Sequence, residues 1–134
     1  MEQSDWMKLK SGTDVRGVAL EGVPGEEVNL TDEAVTGIMK AFCAWAAQRC
    51  GKEKLTIAIG HDSRLSAGRI SACAVKAVTE SGCDAIVTGL SSTPSMFMLL
   101  QEEDIGADAS VMITASHLPF NRNGLELFTP EGGL

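Results

Sequence analysis

Hydrophobic and polar positions alternate with two periods along this chain, and each change of period marks an expected element. A short apolar-polar opening at Trp6 to Lys10 leads into SGTDVRG, a glycine-bracketed stretch that reads as a loop, and a glycine- and proline-containing segment runs on to Asn29. Thr31 then has the character of a helix N-cap, with Asp32 and Glu33 placing negative charge in the first turn, where the helix dipole favours it. Val35, Ile38, Phe42, Trp45 and Ala46 recur at helical spacing and predict one buried face, which Gly51 ends. LTIAIG, from Leu55 to Gly60, is short, apolar and β-branched and predicts a buried strand, with HDSRLSAGR supplying a polar loop and helix start. A second helix is expected from Ala67 to Ser81, closed by Gly82.

The cycle repeats. DAIVTG predicts a second strand, SSTP a helix start with Pro94 in the first turn, Met96 to Glu103 a third helix, and ASVMIT, from Ala109 to Thr114, a third buried strand. Strands alternating with helices at this spacing imply right-handed crossovers and a parallel sheet covered on both faces. Leu125, Leu127 and Phe128 predict a fourth strand, antiparallel to the rest. The expected fold class is therefore α/β: a three-layer α/β/α sandwich whose mixed sheet is mostly parallel, with one antiparallel strand. No repeat or low-complexity linker divides residues 1–134, and the final TPEGGL reads as the start of an interrupted continuation.

Composition narrows the function. With 44% hydrophobic residues, 22% charged residues and 14 glycines, the chain has the make-up of one globular domain. A formal net charge of -7 leaves no basic stripe to neutralise phosphates in bulk, which argues against nucleic-acid and anionic-membrane partners. Neither a signal-peptide core nor an apolar run of roughly 20 residues is present, so a cytoplasmic setting is expected. The four cysteines, Cys43, Cys50, Cys73 and Cys83, form no C-x-x-C pair and read as small core residues in a reduced compartment. Arg16, Arg64 and Arg122 sit in loop-like segments and suggest a local anion site, although solvated surface charge is the commoner reading of any one of them.

In open α/β sheets, ligands bind beyond the carboxyl ends of the strands. The loops HDSR and ASHLPFNRNG leave such ends, which puts His61, Asp62, Ser63, Arg64, Ser116, His117, Asn121 and Arg122 on one edge. SGTDVRG joins them only if the fold brings it there. Each candidate has a plainer reading. Ser116 beside His117 resembles a nucleophile and its base, but neighbours in extended chain point to opposite sides and no G-x-S-x-G elbow is present, which disfavours a triad hydrolase. An isolated serine there is most simply a turn residue. Asp14 and Asp62 suit acid-base or metal-ligand work, or turns and arginine pairs. Arg16 and Arg64 suit a bidentate phosphate clamp, or pairing with those aspartates.

The ordered set SGTDVRG, GHDSRLSAGR and TASHLPFNRNGLELF resembles the N-terminal domain of the α-D-phosphohexomutases, the phosphoglucomutases and phosphomannomutases, from Ser11 to Phe128. The resemblance implies an isomerase that interconverts hexose 1-phosphate and 6-phosphate through a phosphoserine and a bisphosphate intermediate. Ser116 matches the phosphoryl carrier, whose phosphate helps bind Mg²⁺. Arg16 matches the arginine of the first motif, near the phosphoserine, and His117 the histidine after the serine, so both join Ser116 as catalytic candidates. Arg64 and Asn123 are carried as supporting residues.

Two departures stand out. Glu126 occupies a position where many family members have lysine, which reverses the charge of a candidate for proton transfer or phosphate contact. The remaining Mg²⁺-binding aspartates and the sugar- and phosphate-recognition loops belong in this family to later domains, which are missing after Leu134. The resemblance therefore implies a domain that partners a phosphorylated hexose and the remaining domains of the same enzyme, inactive alone. The alternative is a noncatalytic α/β module that binds a phosphorylated metabolite or a protein through the same edge.

Overall fold

The computed structural model describes residues 3–11, 14–116 and 118–133. Among them the chain forms α1 (Gln3–Lys8), β1 (Lys10–Ser11), β2 (Asp14–Val18), α2 (Asp32–Cys50), β3 (Thr56–His61), α3 (Ala67–Glu80) and β4 (Asp84–Leu90). These are followed by α4 (Thr93–Met98) with a 3-10 turn at Leu99–Gln101, β5 (Ala109–Ile113), β6 (Arg122–Thr129) and β7 (Gly132–Gly133). The strands join one sheet in the order β1-β2-β6-β5-β3-β4, with β7 beside β6.

The α2 boundaries follow from local chemistry. Thr31 takes extended backbone and its hydroxyl accepts from Ala34 N at 3.2 Å, and Gly51 closes the helix at φ 68°, a left-handed value that glycine adopts without strain. The buried stripe is Ala34, Val35, Met39, Phe42, Cys43 and Ala46. Trp45, expected on that face, is 39% exposed. It sits at the flank of the stripe, stacked on Phe42 at 6.1 Å between ring centroids and beneath the Arg49 guanidinium at 5.4 Å. An amphipathic ring with a cation on its face is stable half in water.

Period-two alternation splits the core in two. Ile57 and Ile59 of β3, Val111 and Ile113 of β5, and Leu125 and Leu127 of β6 pack under α2 and α3. Ala58 and Met112 point the other way and meet Met96 and Leu100 from α4 and its following turn. The sandwich therefore has α2 and α3 on one face and α4 on the other, and no described helix is long and apolar enough to cross a membrane.

Three local expectations need correction. SGTDVRG was expected as a loop, yet Asp14–Val18 is strand β2, antiparallel to β6. The D-V-R alternation is a half-buried strand pattern, with Val15 packed on the core and Asp14 and Arg16 on the opposite face. The third helix ends at Met98 rather than Glu103. Glu102, Glu103 and Asp104 would crowd negative charge at a helix C-terminus, where the dipole opposes it. Finally, β5/β6 is joined in the antiparallel part of the sheet by the β2/β6, β1/β2 and β6/β7 pairings, while the parallel part is β5-β3-β4. The antiparallel portion is thus larger than one strand, because β6 gains a partner on each side.

Candidate functional site

Strand β6 assembles the site. Chain leaving the carboxyl end of β5 passes through the serine loop and returns along β6, pairing Ile113 with Leu125. On its other side β6 pairs Gly124 with Arg16 of β2, and the end of β3 lies against β5 with His61 opposite Ile113. The first motif is thereby carried to the same edge as the other two, a placement that periodicity could not supply.

Ser116 is exposed at this edge with φ 56°, the sole non-glycine residue with positive φ among those described. A left-handed serine costs about 1–3 kcal/mol and persists only where its surroundings over-determine it. Here they do. Ser116 N donates to Thr114 Oγ1 at 2.9 Å, and Thr114 Oγ1 donates to Asp62 Oδ2 at 2.5 Å. Asp62 is itself anchored, its N donating to Ile113 O at 3.1 Å and its Oδ1 accepting from Arg64 N at 3.1 Å. The Arg64 guanidinium then gathers three carbonyls of the loop: Ser116 O at 2.7 Å, Pro119 O at 2.6 Å and Arg122 O at 3.1 Å. HDSR is thus the cradle of the serine loop, with His61 Nδ1 2.8 Å from Asp62 O at its start.

The arginines do not stand as open clamps. Arg16 donates from Nη1 to Thr114 O at 2.6 Å, and its Nη2 lies 3.6 Å from Asp14 and 3.9 Å from Glu126. Arg64 Nε lies 3.5 Å from Asp62, and Arg122 Nη2 lies 3.1 Å from Glu26. Each has a carboxylate within reach, so pairing rather than bare positive charge is the arrangement of the chain as it stands. Glu126, expected from the resemblance to stand where lysine is common, finds complementary partners: it faces Arg16 and accepts from Thr93 Oγ1 at 3.2 Å. A lysine there would face the Arg16 guanidinium instead.

Gly124 permits this closeness. A Cβ built on it would meet the Val15 carbonyl oxygen and come within 2.8 Å of Arg16 Nη1. The Asn123 side chain is fully buried, donating to Ser66 Oγ at 2.8 Å and accepting from Gly124 N at 2.9 Å, which ties β6 to the start of α3. Asn121 is also buried, and Ser63 is exposed. His117, Gly12 and Thr13 lie outside the described residues. Among the described residues no group of three or more His, Cys, Asp or Glu side chains has the disposition to hold a metal.

Two residues at this edge were not singled out from the sequence. Thr93 reads as a helix start, and nothing local says that its hydroxyl reaches Glu126, 33 positions away. Glu26 reads as one of many acids, although the V-P-G-E turn signal before it marks a residue with a set direction.

The family described as phosphoglucomutase/phosphomannomutase, alpha/beta/alpha domain I, matches residues 8–134. A phosphoglucosamine mutase of Azorhizobium caulinodans is 38% identical over 112 residues, which are 84% of this chain and 24% of that protein. One of Moorella thermoacetica is 34% identical over 123 residues, 90% of this chain and 25% of that protein. The chain thus spans about a quarter of the length of these relatives. A solved structure of a phosphoglucomutase/phosphomannomutase family protein from Burkholderia thailandensis has the same fold, with a TM-score of 0.71 over 96% of this chain and 26% of that one at 21% identity. The chain belongs to the phosphoglucomutase/phosphomannomutase family, as its α/β/α domain I.

Proposed function

We propose that this chain is the phosphoserine domain of a phosphohexomutase, with Ser116 as the phosphoryl carrier. The observation that carries the reading is the presentation of Ser116: an exposed residue just beyond a strand end, on backbone held left-handed by Thr114 and Arg64. Fixed geometry of this kind suits phosphoryl transfer, which relies on positioning and charge stabilisation.

In the first step a hydroxyl oxygen of a hexose monophosphate attacks the phosphorus carried on Ser116. The bond from phosphorus to Oγ breaks, the bond to the sugar oxygen forms, and the sugar hydroxyl proton passes to a base. The resulting bisphosphate reorients, Oγ attacks the phosphorus at its other position, the bond from that phosphorus to the sugar oxygen breaks and that oxygen takes back the proton from the base, so the net change is 1-phosphate to 6-phosphate or the reverse. Arg16 lies across β6 from the serine loop and stabilises charge on the transferring group. His117, next to the carrier, is the candidate for proton handling. Arg64 and Asn123 support by fixing the loop and β6.

A phosphate on Ser116 would offer a Mg²⁺ ion a donor at the loop, and because no group of three or more His, Cys, Asp or Glu side chains among the described residues is disposed to hold a metal, further ligands would come from the remaining domains of the enzyme. When bound, the ion neutralises charge on the transferring phosphoryl group. With Asp14 and Glu126 both near Arg16, the local positive charge is already partly offset, and an approaching phosphate competes with them for the guanidinium.

The test is covalent. The full-length enzyme, exposed to a hexose bisphosphate, should carry one phosphoryl group that peptide mapping places on Ser116, and Ser116→Ala should abolish turnover without loss of fold. Reproducible phosphate at another residue, or turnover retained in Ser116→Ala, refutes the assignment.

A further inference from the structure

The segment between β2 and α2 does more than connect them. Val23-Pro24-Gly25-Glu26 forms a turn in which Glu26 N donates to Val23 O at 3.1 Å and Gly25 has φ 81°. Proline at the second position and left-handed glycine at the third are the type II pattern, so this turn is preset by its own residues. The segment is clipped to the end of β2: Val18 N donates to Asn29 Oδ1 at 2.7 Å, and Asn29 N and Leu30 N both donate to Val18 O at 3.0 Å. Glu26 is thereby delivered to the return limb of the serine loop. Its Oε1 accepts from Asn121 Nδ2 at 3.2 Å and Arg122 Nη2 at 3.1 Å. The backbone joins in, with Ala19 N at 2.7 Å and Leu20 N at 3.1 Å both donating to Asn121 O.

We propose that Glu26 is a positioning residue for Ser116, bracing the far limb of the serine loop against the segment that follows β2. Asn121 is 1% exposed and its Oδ1 has no hydrogen-bond partner among the described residues, so the bond to Glu26 holds a buried amide that is already half satisfied. Without Glu26 that amide would lose its described side-chain partner, and Arg122 would lose its carboxylate. Leaving the buried Asn121 amide unpaired is costly, so the limb would rearrange. One guanidinium, that of Arg64, holds Arg122 O, Pro119 O and Ser116 O together, so a shift at Arg122 is passed directly to the serine. Relaxation there lets Ser116 leave its left-handed conformation and moves Oγ. The bracing stands on this geometry, and its effect on turnover rests on the phosphoserine reading above.

Hydrogen exchange on this chain, in the wild type, Glu26→Ala and Glu26→Gln, tests the brace. Glutamine keeps an acceptor oxygen for Asn121 and Arg122. Glu26→Ala should speed exchange across residues 115–122 about tenfold with β3 unchanged, and Glu26→Gln should recover most of the protection. In the full-length enzyme Glu26→Ala should lower kcat about tenfold with KM within about twofold, and Glu26→Gln should restore most of it. Unchanged loop exchange in a folded Glu26→Ala protein overturns the brace, as does glutamine performing no better than alanine. A change confined to KM overturns the positioning role. If the wild-type enzyme proves to lack mutase activity, the functional reading fails, and the exchange result still decides whether Glu26 braces the loop.

Discussion

Gly124→Ala tests whether close approach of β2 and β6 builds this site. The added Cβ would meet the Val15 carbonyl oxygen, which is backbone and fixed by the β2/β6 pairing, and lie 2.8 Å and 2.9 Å from Arg16 Nη1 and Cδ. The strands must part or Arg16 must swing away from Thr114 O, to which it donates at 2.6 Å. Overpacking of this kind costs about 1–3 kcal/mol. Loss of the charge-assisted bond adds about 1.5–3 kcal/mol. The expected destabilisation is about 1–3 kcal/mol where one of the two gives way and about 2.5–6 kcal/mol where both do, a large part of the roughly 5–15 kcal/mol available to a domain. Urea unfolding followed by tryptophan fluorescence measures it, since Trp6 packs against the main core. Gly68→Ala is the matched control: a Cβ there meets nothing within 4 Å on the exposed side of α3, so it should leave stability unchanged or raise it by about 0.5 kcal/mol. A Gly124→Ala protein within about 1 kcal/mol of wild type would refute the packing argument.

Two further expectations concern groups away from the serine. Burial, with the neighbouring Cys83 thiol second, pushes Cys43 up to about 12, so its reactive thiolate is scarce at pH 8. Iodoacetamide at pH 8 should therefore modify exposed Cys50 at least tenfold faster than buried Cys43 in the native chain, as read by peptide mass; comparable rates would contradict the buried placement. Asp32, at the start of α2, is held below its ordinary value of 3.8, chiefly by its hydrogen bond from Arg69. A carboxylate whose value is depressed on folding contributes stability above its unfolded value and loses it as pH falls through the folded one. The stability gap between wild type and Asp32→Asn should therefore be level from pH 7 to about pH 5 and narrow below about pH 4, and a gap independent of pH would remove the Arg69 pairing as its source.

Much of the framework was legible because its signals are local. The Thr31 cap, the Gly51 stop, the apolar runs of β3 and β5 and the helical face of α2 each depend on residues within a few positions. Apart from the early end of α4, the errors share one cause, which is that burial is decided by distant chain. D-V-R-G-V is short and glycine-flanked and reads as loop until β6 offers it an edge to pair with, and Trp45 fits the helical period but falls outside the strip that the sheet covers.

The site divides in the same way. The three motifs and Ser116 stand out in the sequence because they are polar, glycine-rich interruptions at the ends of apolar runs. The partners of each side chain do not, because they lie far along the chain: Arg16 reaches Thr114 O across 98 positions, Arg64 reaches Ser116 O across 52, and Glu26 meets Arg122 across 96. By itself the sequence determined most of the elements, the α/β class and the loop in which Ser116 stands. Only the tertiary structure decided that β2 enters the sheet beside β6, that the arginines are paired, and that Glu126 sits opposite Arg16. The physical reason is one of range. Periodicity, caps and turns are set by neighbours along the chain, whereas charge pairing and loop bracing are set by whichever strands the sheet brings side by side.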